Sequence, residues 1–216
     1  MTDAVQGEGY EAFFFDFDGV IVDSVPIKAS AFKKLFEPYG KNVADKVYND
    51  HLNSLGVNRR KKIAVYYHDF LEQTLSESQL DRICERFSDI VVDAIVNAPF
   101  IPGIEDYLMS VYKEKPTFVI SSAPDAELKD IIKRRKLGHY FNEVFGSSEN
   151  KAVTIDSLIR DYSLNPRKCI FYGDAESDYR AAMVSRVQFC AVISADSTLL
   201  AKIPQLNWIN DFRGLH

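Results

Sequence analysis

Apolar residues follow two different rhythms along the chain. Tyr10–Asp23 reads YEAFFFDFDGVIVD, an aromatic and β-branched run without helical period, the pattern of a strand buried on both faces. Thr117–Ser121 (TFVIS), Lys168–Gly173 (KCIFYG) and Phe189–Ser194 (FCAVIS) share that pattern, and Glu143–Gly146 (EVFG) is a shorter candidate. Between these runs the spacing turns helical. Ala126–Lys136 sets Leu128, Ile131 and Ile132 on one face, and Ala152–Tyr162 does the same with Ile155, Leu158, Ile159 and Tyr162. Arg180–Val184 is a shorter piece of the same kind. Strands alternating with helices of this length predict parallel βαβ units and an α/β fold, a Rossmann-like doubly wound parallel sheet.

The alternation breaks between residue 24 and about residue 100. Ser24 stands where a helix cap belongs, with Pro26 in the first turn and Phe32, Leu35 and Phe36 following at helical spacing. A second helix is expected from about Asn58 to Leu75. Ser76 and Gln79 form a capping-box signature ahead of Leu80, Ile83, Phe87, Ile90, Val91, Ala94 and Ile95. Pro99 and Pro102-Gly103 close the stretch, and no convincing strand lies within it. The economical reading is an all-helical module, residues 24–99, inserted into an α/β core made of residues 1–23 and 100–216.

Composition narrows the setting. The 216 residues are 46% hydrophobic and 26% charged, which excludes collagen-like, low-complexity and disordered chains. A net charge of −5 without a dense Lys/Arg stripe makes a poor partner for nucleic acid or an anionic membrane. No apolar run approaches the roughly 20 residues of a membrane helix, and residues 1–12 lack the basic start and apolar core of a secretory signal. Cys84, Cys169 and Cys190 are widely spaced and make no C-x-x-C pair, as expected of buried thiols in a reducing cytoplasm. A cytoplasmic protein, monomeric or weakly dimeric, fits these features.

Against this background the carboxylates are out of place. Asp16 and Asp18 interrupt FFFDFDGVIV, where a buried strand should be apolar, and in an extended chain their spacing points both side chains the same way. One Asp before Gly is ordinary turn chemistry. Two like charges in so apolar a setting need a cation or a chemical task. A second acidic group, Asp174, Glu176 and Asp178, follows the run that ends at Gly173. In an open parallel sheet the carboxyl ends of the strands face one crevice, so Asp16, Asp18 and Asp174 share an edge. Carboxylate oxygens without Cys or His partners suit a hard cation, Mg²⁺ best. His51, His68, His139 and His216 are scattered and none is assigned as a ligand. Ser121 and Ser122 end another strand at a helix start, a natural anion cradle. Lys151 opens a helix against its macrodipole, a small penalty that points to another use. Acids with Mg²⁺, a hydroxyl and a lysine are the parts of a phosphoryl-transfer site. No G-x-x-x-x-G-K-[ST] loop is present, so attack must come from a protein carboxylate or from water.

In order along the chain, DFDGVIVDS at 16–24, Ser121, Lys151 and GDAESD at 173–178 resemble the four motifs of haloacid-dehalogenase-superfamily phosphatases. The helical insertion resembles the cap of the phosphoglycolate-phosphatase and β-phosphoglucomutase branch. The resemblance implies an aspartyl-phosphate formed on Asp16. Asp18 would act as acid and then base, with its backbone carbonyl on Mg²⁺. Ser121 and Lys151 would hold the phosphoryl oxygens, while Asp174 and Asp178 would serve the metal. Because haloacid dehalogenases lack an acid at the position of Asp18, the expected activity is a phosphatase on a small phosphorylated metabolite. A sugar phosphomutase is the alternative, and a receiver-type phosphoacceptor domain is a more distant one. Within the insertion, Leu55–Lys62 (LGVNRRKK) carries a basic cluster. Arg59 and Lys62, on one helical face, are the candidates for a substrate's second anionic group.

Overall fold

The computed structural model describes residues 9–146, 150–193, 200 and 203–215. Ser194 and His216 lie outside these. The strands are β1 (Ala12–Phe15), β2 (Thr117–Ile120), β3 (Glu143–Phe145), β4 (Cys169–Gly173), β5 (Gln188–Val192) and β6 (Trp208–Ile209). They form one parallel sheet in the order β3-β2-β1-β4-β5-β6. The chain winds outward from β1 through β2 to β3, then returns to lay β4 on the other side of β1. This places a topological switch point at β1, with Phe14 opposite Phe118 on one side and Phe171 on the other.

The apolar run in β1 is continuous because both faces are covered. Phe13 and Phe15 point into one core layer with Tyr107, Leu108 and Ile131, while Ala12 and Phe14 point into another with Ile155, Leu158 and Ala182. Helices α5 (Ile104–Val111) and α6 (Asp125–Arg134) supply the first layer; α7 (Lys151–Asp161) and α8 (Glu176–Val184) supply the second. The doubly wound α/β architecture expected from the alternation is the one observed.

Strand β1 is shorter than its pattern predicts. It stops at Phe15, and Gly19, at φ +78°, turns the chain back so that Ile21 and Val22 donate to the Phe17 carbonyl. Val22 then bridges Phe100, and two hydrogen bonds (Asp23 N to Pro99 O, Ile101 N to Ile21 O, each 3.0 Å) tie the way into the insertion to the way out. Between these linkers stand α1 (Val25–Phe36), α2 (Lys41–Asn53), α3 (Arg59–Leu71) and α4 (Glu77–Val96), with no strand element among them.

The capping box at Ser76 forms on both sides, through Gln79 N to Ser76 Oγ and Ser76 N to Gln79 Oε1. Helix α3 ends earlier than expected because Glu72 turns left-handed at φ +54°. Ser24 sits at the N-cap of α1 but makes no capping bond; its hydroxyl donates to Asp18 instead. The insertion is anchored to the core where α4 packs on α6. There the Arg135 guanidinium donates to the carbonyls of Ile95, Val96 and Ala98, at the carboxyl end of α4. Among the described residues no helix is long and apolar enough to cross a membrane.

Candidate active site

The carboxyl ends of β1, β2 and β4 and the first turns of α7 and α8 converge on one crevice roofed by the helical insertion. The Asp16 backbone N–H donates to the Tyr172 carbonyl at 2.9 Å, which extends the β1–β4 ladder and sets the residue in place. Its Oδ1 accepts the Phe17 N–H at 2.7 Å and lies 3.1 Å from Lys151 Nζ. The same ammonium donates to Asp178 Oδ1 at 2.6 Å, and Asp178 Oδ2 accepts the Ala175 N–H at 3.1 Å, closing the first turn of α8. Glycine makes room for both outer acids. A Cβ at Gly173 would overlap Asp178, and one at Gly19 would overlap Asp174.

One carboxylate oxygen from each of Asp16, Asp174 and Asp178 lies within 4.8 Å of the others, and all three residues are buried. Lys151 is the only cation paired with this cluster among the described residues. Burial pushes the Asp16 carboxyl up to about 7; Lys151 opposes that rise, and Asp178 and Asp18 add to it. Asp174 is held well above the carboxylate range by burial and by the charges of Asp16 and Asp178. Burial works against the Lys151 charge, but Asp16 and Asp178 outweigh it and raise its pKa. Three buried acids facing one ammonium leave uncompensated negative charge in an all-oxygen donor set. That set fits a hard divalent cation such as Mg²⁺.

Asp18 lines the same crevice but takes other partners. Its carboxylate receives the Ser24 hydroxyl at 2.6 Å and Lys28 Nζ at 2.5 Å, both from the start of α1. Burial would raise its pKa, but the charge and hydrogen bond of Lys28 and the Ser24 hydroxyl prevail and lower it. Extended-chain spacing therefore describes the pair only in part. The chain turns after Asp16, and the two carboxylates end in separate networks.

Ser121 Oγ lies 3.5 Å from Asp18 Oδ2 and accepts the Ala123 N–H at 3.1 Å. Ser122 Oγ instead donates to the Gly56 carbonyl at 2.9 Å, joining the core to the loop between α2 and α3. Arg59 and Lys62 share a buried face of α3 but not a common site. The Arg59 guanidinium forms a two-pronged pair with Glu127 of α6 (2.9 and 2.6 Å), donates to Ser88 Oγ at 2.5 Å and stacks 4.6 Å from the Phe87 ring. Lys62 Nζ donates to His51 Nδ1 at 2.9 Å. A cavity of about 60 Å³ remains between insertion and core, walled by Asp16, Asp18, Lys28, Phe32, His51 and Phe87 among others.

The family model of haloacid dehalogenase-like hydrolases matches residues 13–192, from β1 through β5 and including the insertion. The chain belongs to the haloacid dehalogenase-like hydrolase family. It is an enzyme of the phosphatase type in that family. Phosphoglycolate phosphatase 1 of Pseudomonas aeruginosa is 25% identical to this hydrolase over 189 residues, 83% of this chain and 68% of that one. The phosphorylated carbohydrates phosphatase of Thermotoga maritima is 22% identical over 184 residues, 82% of each chain. The crystal structure of β-phosphoglucomutase from Clostridium difficile superposes with a TM-score of 0.73 at 20% identity, covering 96% of this chain and 93% of that one.

Four residues of the crevice carry no motif in this hydrolase's sequence: Lys28, which holds Asp18; Glu127, which holds Arg59; His51; and Gly56. Each is recognisable only by what the fold sets beside it. Gly56 alone left a trace, as the glycine of the LGVN loop, where its φ of +74° and the space filled by Ser177 and Ala175 exclude a side chain.

Proposed function

We propose that this hydrolase cleaves the phosphate ester of a small phosphorylated metabolite in a Mg²⁺-dependent reaction through an aspartyl-phosphate on Asp16. The observation that carries the reading is the setting of Asp16. One oxygen is held by a backbone N–H and Lys151, which leaves the other to attack, at the switch point of the sheet. Asp16 forms a bond to phosphorus as the ester P–O bond breaks, and Asp18, which must first exchange its Lys28 contact for a proton, gives that proton to the departing oxygen. Asp18, again a carboxylate, then takes a proton from water. The water oxygen bonds to phosphorus, and the Asp16–phosphorus linkage breaks to release phosphate. Ser121 and Lys151 bind the non-bridging oxygens throughout. Asp16, Asp174 and Asp178, with the Asp18 carbonyl, would hold Mg²⁺, which would supply charge neutralisation for those oxygens. The helical insertion serves as the cap that excludes water from the closed site. The named activities of the Pseudomonas and Thermotoga relatives support a small phosphorylated substrate.

Phosphate release from p-nitrophenyl phosphate and a panel of small phosphate esters, with Mg²⁺ and then with EDTA, tests the proposal. Turnover that requires Mg²⁺ is the expected result. With the protein folded, no release from any ester would overturn hydrolysis and favour the phosphomutase.

A further inference from the structure

The cavity beneath the insertion is charged on the core side and neutral on the other. Every cation on its walls and on those of the two adjoining cavities already has a carboxylate partner: Lys28 with Asp18, Arg59 with Glu127, Lys151 with Asp16 and Asp178, and Arg180 with Glu176. The Arg59–Glu127 pair is the firmest. Both side chains are less than a tenth exposed, and Glu127 also accepts the Ser88 hydroxyl at 2.7 Å. A substrate anion taking Arg59 would strand a buried carboxylate without its partner. The remaining walls on that side are Val25, Phe32, Leu55, Val57 and Phe87, with His51 among them.

His51 is 94% buried by the rings and helices around it, its ring centroid 4.8 Å from that of Phe32. Lys62 Nζ sits 2.9 Å from its Nδ1. An ammonium has hydrogens to give and no lone pair to receive one, so Nδ1 is the acceptor and Nε2 carries the proton. Nε2 has no hydrogen-bond partner among the described residues, and neither has the neighbouring Arg59 Nε. Both side chains belong to the cavity walls, and a buried N–H left unmet is costly unless something arrives to accept from it.

We propose that His51 is a specificity-determining residue, and that its Nε2–H donates to an uncharged oxygen (a hydroxyl or carbonyl) on a phosphate monoester whose organic part carries no charge. The inference rests on the phosphatase reading above and narrows its substrate class. It sets neutral polyol and sugar monophosphates ahead of esters bearing a carboxylate or a second phosphate. The His51 tautomer, held by Lys62, points a donor rather than a lone pair at the substrate. Phe32 and Phe87 close around the carbon skeleton.

The test compares kcat/KM for glycerol, ribose and glucose monophosphates with propyl phosphate, phosphoglycolate and fructose bisphosphate, in the wild type and in His51→Phe and His51→Gln. The wild type is expected to prefer a neutral hydroxylated ester over propyl phosphate and over both anionic esters by about tenfold or more. In His51→Phe, which keeps an aromatic ring but not the donor, the preference over propyl phosphate falls about tenfold, mainly through KM. His51→Gln, which restores an N–H, recovers part of it. Binding of the preferred ester to an Asp16→Asn protein, followed by calorimetry, should weaken by a similar factor when His51→Phe is added. A wild type that prefers phosphoglycolate or the bisphosphate overturns the proposal, as does an unchanged ratio in His51→Phe; Mg²⁺-dependent turnover in either case leaves the phosphatase reading standing. Absence of turnover on every ester removes both.

Discussion

The two walls of the crevice solve the problem of buried charge in opposite ways. On the core side, Asp16, Asp174 and Asp178 crowd within 4.8 Å, with only Lys151 against them among the described residues. The charge is left unbalanced, and backbone N–H groups of Phe17 and Ala175 fix two of the three acids in place. On the insertion side the two cations on the cavity wall are each cancelled by a partner from elsewhere in the chain: Arg59 by Glu127, and Lys28 by Asp18 across the crevice, while the buried Lys62 rests on His51. An unbalanced cluster is ready for a cation and a phosphoryl group. A balanced one serves shape and closure. Under the proposed function, chemistry belongs to the core and selection to the insertion.

The largest expected effect lies on the core wall. Asp16→Asn should lower kcat by on the order of a thousandfold or more, since the attacking carboxylate is lost. Its melting temperature without Mg²⁺ should not fall, because burial and the neighbouring acids already disfavour the Asp16 charge. Phosphate release and calorimetry check the two halves; turnover within tenfold of wild type would break the assignment.

On the opposite wall, the balanced pair should matter first to stability. Glu127→Gln leaves the buried Arg59 guanidinium without its anion and should cost about 3 kcal/mol in urea unfolding. The next residue provides the contrast. Arg60 pairs with Glu77 and Asp81 in solvent, and Arg60→Ala should leave the urea midpoint unmoved. Equal losses from both would mean that the buried pair is no more than a surface contact.

The smallest effect is expected where the two walls meet. Gly56→Ala introduces a left-handed alanine whose methyl overlaps Ser177 and Ala175, at a strain of about 1 kcal/mol. The loop then stands off from Ser122, and kcat/KM should fall severalfold with little change in melting temperature. Unchanged kinetics would show that closure does not depend on this contact.

Much of the core was legible in the chain because strand ends announce themselves. An acid in an aromatic run, a serine closing TFVIS and an acidic loop after CIFYG are local violations of the buried-strand pattern, and a parallel sheet gathers strand ends at one edge. Helix α2 was not legible. Its buried stripe is only Ala44, Val47 and His51, too thin to show a helical period among charged neighbours. Strand β6 shows two residues, Trp208 and Ile209, at the sheet margin, and α5 spans two turns behind a Pro-Gly pair. Such short elements are chosen by the surface they cover.

By itself the sequence determined the α/β alternation, the helical insertion and the identity of the acids, serines and lysine at the strand ends. These follow from periodicity and from chemistry within a few residues. Only the tertiary structure decided that Ser24 and Lys28 hold Asp18, that Ser122 faces Gly56, that Arg59 is answered by Glu127 across 68 positions, and that Lys62 lies 2.9 Å from His51 Nδ1. A charge in a sequence carries no record of its partner. Partners are assigned by packing, when burial makes an unpaired charge too costly to keep and the fold has settled which oppositely charged or lone-pair group lies within 3 Å.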